Sequence, residues 1–170
     1  MGSYINIGFA SNKDDIKESV MTLLKSLTDF KFAKIVFPKN NDYSDWQYSN
    51  NLECSIDKAL DYCLKYEMSY FLGSFRLNEY LLDNVSFSVE RNKDNCVCFI
   101  IKMTDDLLLN NIDEIEFCIV ELMRKAKGFD FAFCDNEAHL NDEKYSIYVQ
   151  YLKEPCFVYN DWKIDGFTKR

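Results

Sequence analysis

The stretch CVCFIIKM, residues 96 to 103, constrains this chain more than any other. It runs almost without a polar break and is rich in β-branched and aromatic residues, and the turn-forming RNKDN precedes it at 91 to 95. A run this short and this apolar reads as a central strand, because a strand with one wet face alternates. The segment before the turn, VSFSVE at 85 to 90, does alternate. The two therefore pair as a hairpin whose second strand lies inside a sheet.

The remaining elements follow the same periodicities. SYINIGFA (3 to 10) reads as a strand, after which Ser11 or Asn12 caps a helix carrying Ile16, Val20, Leu23, Leu24 and Leu27 on one face. FKFAKIVF (30 to 37) reads as a second strand ended by Pro38, and the polar stretch 39 to 51 reads as a loop bearing Trp46 and Tyr48. Ser55 caps a second helix with Ile56, Leu60, Cys63 and Leu64 on one face, and MSYFLGSFRL (68 to 77) follows as a strand pierced by Gly73. Asn110 or Asn111 opens a third helix that aligns Ile112, Ile115, Ile119, Leu122, Met123 and Ala126 and stops at Gly128. FDFAFC (129 to 134) and YSIYVQYL (145 to 152) are the last strands, followed after Pro155 by a short CFVY (156 to 159).

The order β-α-β-α-β-β-β-α-β-β predicts an α+β fold: a mixed, mostly antiparallel sheet with about three helices packed largely on one face, in one domain over residues 1–170. FKFA at 30 to 33 and FDFA at 129 to 132 raise the prospect of a repeated β-α-β unit.

Composition narrows the function classes. The 170 residues carry a formal charge of −8 with acidic and basic residues interspersed, so no basic stripe is available to displace counterions from nucleic acid. A negative surface instead steers a basic protein partner. Seven cysteines, most of them within apolar alternation, read as buried free thiols in a reducing compartment. No basic segment followed by an apolar run opens the chain, Asn6 breaks the myristoylation pattern, and no apolar run approaches the ~20 residues of a membrane helix. The expectation is a cytoplasmic protein that binds neither nucleic acid nor membrane.

GFDFAFCDNEAH, residues 128 to 139, gathers three carboxylates, a thiol and the only histidine. As a strand, FDFAFC points Phe129, Phe131 and Phe133 one way and Asp130, Ala132 and Cys134 the other, leaving Asp135, Glu137 and His139 in the segment beyond. A metal or acid–base site there would use Asp135, Glu137, His139 and Cys134, yet the paired ligand spacings of metal sites are missing, and Cys96-x-Cys98 lies along one strand face. Neither a Gly-x-Ser-x-Gly elbow nor a Gly-rich phosphate loop occurs. No catalytic residue, metal ligand or cofactor is predicted. The acidic aromatic stretches NNDYSDWQYSNN (40 to 51) and VYNDWKIDG (158 to 166) are better suited to a protein interface. The expected partner-binding residues are Asp42, Tyr43, Asp45, Trp46, Asp135, Glu137, Asp161 and Trp162.

The opening MGSYINIGFASNKDDIKESV and the later GFDFAFCDNEAH, in one acidic α+β domain, resemble the small immunity proteins of bacterial polymorphic toxin systems. That resemblance implies a cytoplasmic antidote that binds and neutralises a cognate toxin, commonly a nuclease or another cationic domain. Two other classes stay open from the residues: a metal- or carboxylate-dependent enzyme using the 130–143 region, and an accessory protein-binding domain.

Overall fold

The apolar run around residue 100 lies in the middle of a nine-stranded sheet. The computed structural model describes residues 4–12, 15–39, 42–50, 54–92, 96–104, 112–140, 142, 156–159 and 162–164. Among these the chain forms β1 (Tyr4–Ser11), α1 (Lys17–Ser26), β2 (Thr28–Lys39), β3 (Asp42–Asn50), α2 (Ile56–Lys65), β4 (Tyr70–Leu77) and β5 (Tyr80–Arg91). It continues with β6 (Val97–Thr104), α3 (Ile112–Lys125), β7 (Phe131–Asn136), β8 (Cys156–Tyr159) and β9 (Trp162–Ile164). The sheet order is β3-β2-β4-β5-β6-β1-β7-β8-β9. All neighbours pair antiparallel except β7 and β8, so the sheet is mixed and mostly antiparallel and the fold is α+β.

All three described helices cover the same sheet face. Val20, Leu23 and Leu24 of α1, Ala59, Leu60 and Cys63 of α2, and Ile115, Ile119 and Met123 of α3 meet the inward residues of the sheet in one core. Phe87 is the hub of that core: its ring stacks on Phe71 at 4.9 Å and on Phe99 at 6.0 Å, with the edge of Phe30 at 5.6 Å. Such ring pairs add about 0.5–1.5 kcal/mol each to the stabilisation from burial. On the other face a smaller cluster of Cys98, Ile100, Phe131, Phe133, Leu140 and Val158, with their small neighbours, forms without any of the described helices.

Several local readings hold. Ser55 Oγ accepts a hydrogen bond from Lys58 N at 3.2 Å and caps α2. Gly128 adopts φ +85 after α3, and a Cβ there would run into Ser19 Oγ. Others are corrected. Helix α1 begins at Lys17 after Ile16, with no side-chain cap; Ser11 Oγ and Asn12 N instead donate to Asp130 Oδ2 at 3.1 and 3.0 Å, which ties the end of β1 to the start of β7. Residues 42–50, expected in a loop, form β3, because an edge strand has little burial to impose on its sequence. Pro38 does not end β2. It lies past the last β4 partner, Val36, and is paired only to Trp46 of β3, an edge position where a missing N–H is tolerated.

Phe129 departs from the alternation expected of FDFAFC. The chain bends at 128–130 and β7 starts only at Phe131, so Phe129 enters the helix-side core 5.3 Å from Phe9 while Phe131 and Phe133 face the opposite way. Leu122 is partly buried against the core rather than within it. The predicted strand 145–152, the helix-opening Asn110 and Asn111, and the side chain of Ile112 lie outside the described residues. The FKFA and FDFA echo marks no equivalent units: β1 and β2 are separated by three strands, whereas α3 links β6 to β7 across β1 alone. The crossover that matches β6-α3-β7 is β3-α2-β4, which passes over β2 alone.

Gly8 of β1 holds the two faces in register. The Phe133 ring on the neighbouring strand lies directly over it, where a Cβ would stand. Gly8→Ala must push that ring aside and is expected to cost about 1–3 kcal/mol as overpacking does. A chemical-denaturation midpoint unchanged by Gly8→Ala would contradict this packing.

Candidate functional site

The segment that leaves β7 is a cover, not a solvated loop. Glu137 turns the chain at φ +49 and donates its N–H to the Tyr4 carbonyl at 2.8 Å. The Ala138 carbonyl accepts from Asn6 Nδ2 at 2.7 Å. The Glu90 carboxylate on β5 takes the Nδ1–H of His139 at 2.6 Å on one oxygen and the Leu140 N–H at 3.1 Å on the other. Asp142 Oδ2 accepts from His139 N at 2.9 Å and closes the turn. These bonds lower Ala138 and Leu140 onto Phe131, Phe133 and Cys98, where both are buried.

The cluster in GFDFAFCDNEAH is thereby dispersed. Cys134 points into the helix-side core, while His139, with its side chain 53% exposed, is on the other face. Among the described residues no group of three or more His, Cys, Asp and Glu could hold a metal ion. Burial pushes the thiols of Cys98 and Cys134 upward and that of Cys63 to about 12, so these three are protonated and unreactive at neutral pH. Sequence reasoning missed Glu90, which fixes the histidine. No local signal could have found it, since the partners are 49 residues apart.

Beyond the cover, the face that the described helices leave open forms a groove of about 860 Å³, lined on one side by Leu64 and Lys65 at the end of α2. Its floor follows from register. One row across the sheet runs Tyr70, Ser88, Ile100, Gly8, Phe133, and the surface changes along it from wet to dry. The adjacent row sets Ser86, Lys102 and Asn6 side by side on β5, β6 and β1. Lys102 Nζ sits 4.2 Å from the centre of the Tyr4 ring, a cation–π contact at the groove wall. Asn6 Oδ1 and Ser69 Oγ are buried in the groove lining with no hydrogen-bond partner among the described residues. A buried polar atom left unpaired costs roughly 1–3 kcal/mol.

The acidic aromatic stretch forms the sheet edge beside this groove. Trp46 is half-buried with its ring 6.2 Å from that of Tyr70, and Tyr48, two residues on and on the same face, is 67% exposed beneath Lys34. The Ser44 hydroxyl and N–H donate to Asp42 at 2.7 and 3.0 Å and hold its carboxyl below the usual range, so it stays ionised. Asp45 is exposed and lies 3.5 Å from Lys39 Nζ. Tyr43 stands in β3, and its side chain lies outside the described residues.

The predicted partner residues do not form one patch. Trp162 is in β9, at the far end of the sheet from β3, roughly 35–40 Å away at ordinary strand spacing; its side chain and the whole of Asp161 lie outside the described residues. Asp135 on β7 and exposed Glu137 lie between these edges, on or beside the cover. No helix among the described residues is long and apolar enough to cross a membrane. Comparison of the chain with protein-family models, with curated proteins and with solved structures found no match.

If Glu90 latches the cover, Glu90→Gln should loosen it locally without unfolding the sheet. Amide exchange at Leu140 should accelerate roughly tenfold, about the worth of one charge-assisted hydrogen bond at a partly exposed site, with the core amides of β6 unaffected. Unchanged exchange at Leu140 would mean that apolar burial alone holds the cover.

Proposed function

We propose that this chain is an immunity protein, a cytoplasmic antidote that binds and neutralises a cognate toxin domain of basic character such as a nuclease. One observation carries the reading: the β3 edge combines a braced tryptophan, an exposed tyrosine, the Asp42 carboxylate kept ionised by Ser44 and the exposed Asp45, beside an open sheet face. Aromatic anchors ringed by charge are what protein interfaces use, the rings for affinity and the charges for encounter. Three of the five exposed large apolar side chains among the described residues, Tyr4, Tyr48 and Met68, lie on this face or line its groove. The net charge of −8 suits a cationic partner.

A carboxylate- and histidine-dependent enzyme is the second reading, and the Glu90–His139 pair is what favours it. A carboxylate that holds Nδ1 fixes the tautomer and leaves Nε2 as the base. Yet His139 makes no hydrogen bond to a hydroxyl or thiol among the described residues, so no nucleophile is paired with that base.

Co-expression with the toxin domain encoded beside its gene tests the proposal, with restored growth expected. Surface-plasmon kinetics then separate the roles. Asp42→Lys with Asp45→Lys should slow association and flatten its salt dependence, whereas Trp46→Ala should speed dissociation by the equivalent of roughly 2 kcal/mol. Because the Asp42 pKa is depressed, its charge is complete above the ordinary carboxylate range and is lost only as pH falls below it; its share of the association rate should hold from pH 8 to about pH 5. Charge reversals that leave association untouched in a folded protein would remove the β3 edge from the interface.

A further inference from the structure

The groove is less acidic than the protein that carries it. Among the described residues Lys65, Arg91 and Lys102 line it against Glu67 and Glu90, in a chain of net charge −8. Glu90 is committed on both oxygens to His139 and Leu140. Lys102 meets no carboxylate among the described residues, and its one described interaction is with the face of Tyr4. An ammonium held over a ring at the wall of a concave site, short of a counter-ion, is a place for an anion.

The groups around it specify more than charge. Ser86 is directly opposite Lys102 on β5, Asn6 is directly opposite it on β1, and Ser88 follows two residues along β5 on the same face. Among the described residues Asn6 Oδ1 and Ser69 Oγ, both in the lining, have no hydrogen-bond partner, so each can accept from a ligand hydroxyl. A volume of about 860 Å³ lies within the range of small-molecule sites.

We infer that this groove binds a small hydroxylated organic anion, a carboxylate or a phosphate monoester, with its charge at Lys102 and its hydroxyl groups over Ser86, Ser88 and Asn6. The site is separate from the β3 edge and does not rest on the toxin-binding reading. A bare inorganic anion satisfies Lys102 and leaves the floor unserved, so charge alone should bind weakly.

Isothermal titration of the full chain with D-gluconate, glycerol 3-phosphate and sulfate tests this. One of the two organic anions should bind at one site per chain, with sulfate at least about tenfold weaker; which one binds distinguishes carboxylate from phosphate. Lys102→Gln should weaken that binding by roughly tenfold or more with the thermal midpoint unchanged, and Lys102→Arg should restore most of it. Absence of saturable binding by both organic anions up to about 10 mM, sulfate binding as tightly, or affinity surviving Lys102→Gln would each overturn the assignment.

Discussion

The strand β6 is apolar on both faces, and most of the architecture answers that demand. Val97, Phe99, Ile101 and Met103 face the helices, while Cys98 and Ile100 face the other way, and all six are buried. The three described helices lie on one of these faces. The second face is covered by other means: the Phe131 and Phe133 rings of β7 and the cover that brings Ala138 and Leu140 down on them. At roughly 25 cal/mol per Å² of apolar surface, leaving those rings wet would cost several kcal/mol, a large part of the stability of a domain this size.

That second cover is incomplete, and an open groove is what remains. The row through Tyr70, Ser88, Ile100, Gly8 and Phe133 passes from hydroxyls to rings within one sheet face, and Glu90 stands where the two regimes meet. Its carboxylate pins the rim of the dry half through His139 and Leu140, and the same contact forms a wall of the wet half. The only histidine of the chain therefore acts first as a latch. Farther along the face, β3, the last strand on that side among the described residues, offers rings and the ionised Asp42 carboxylate.

Elements dominated by burial were legible in the sequence, and elements dominated by partners were not. The stripe Ile16, Val20, Leu23, Leu24 and Leu27 is buried as its period requires, and the Ser55 cap is in place. Strand β3 was hidden because an exposed edge strand keeps Asp, Ser, Gln and Asn, the residues of a loop; Trp46 and Tyr48 at a spacing of two were the available signal. The start of α1 was misplaced because Ser11 and Asn12, good caps by type, are engaged by Asp130 from 118 residues or more away. Phe129 escaped the alternation for a similar reason, a bend that belongs to no period. Of the candidate site, the acidic rings were visible in the sequence, whereas the groove exists only once β1, β5 and β6 are set in register.

Hydrogen exchange on a complex with the proposed basic toxin partner tests most directly whether the sheet face left open by the described helices is the binding surface. The account predicts new protection in residues 42–50 and in 66–70 at the groove rim, with α1, α2 and α3 unchanged. Protection confined to the helices, with β3 exchanging as in the free protein, would place the interface on the opposite face and contradict it.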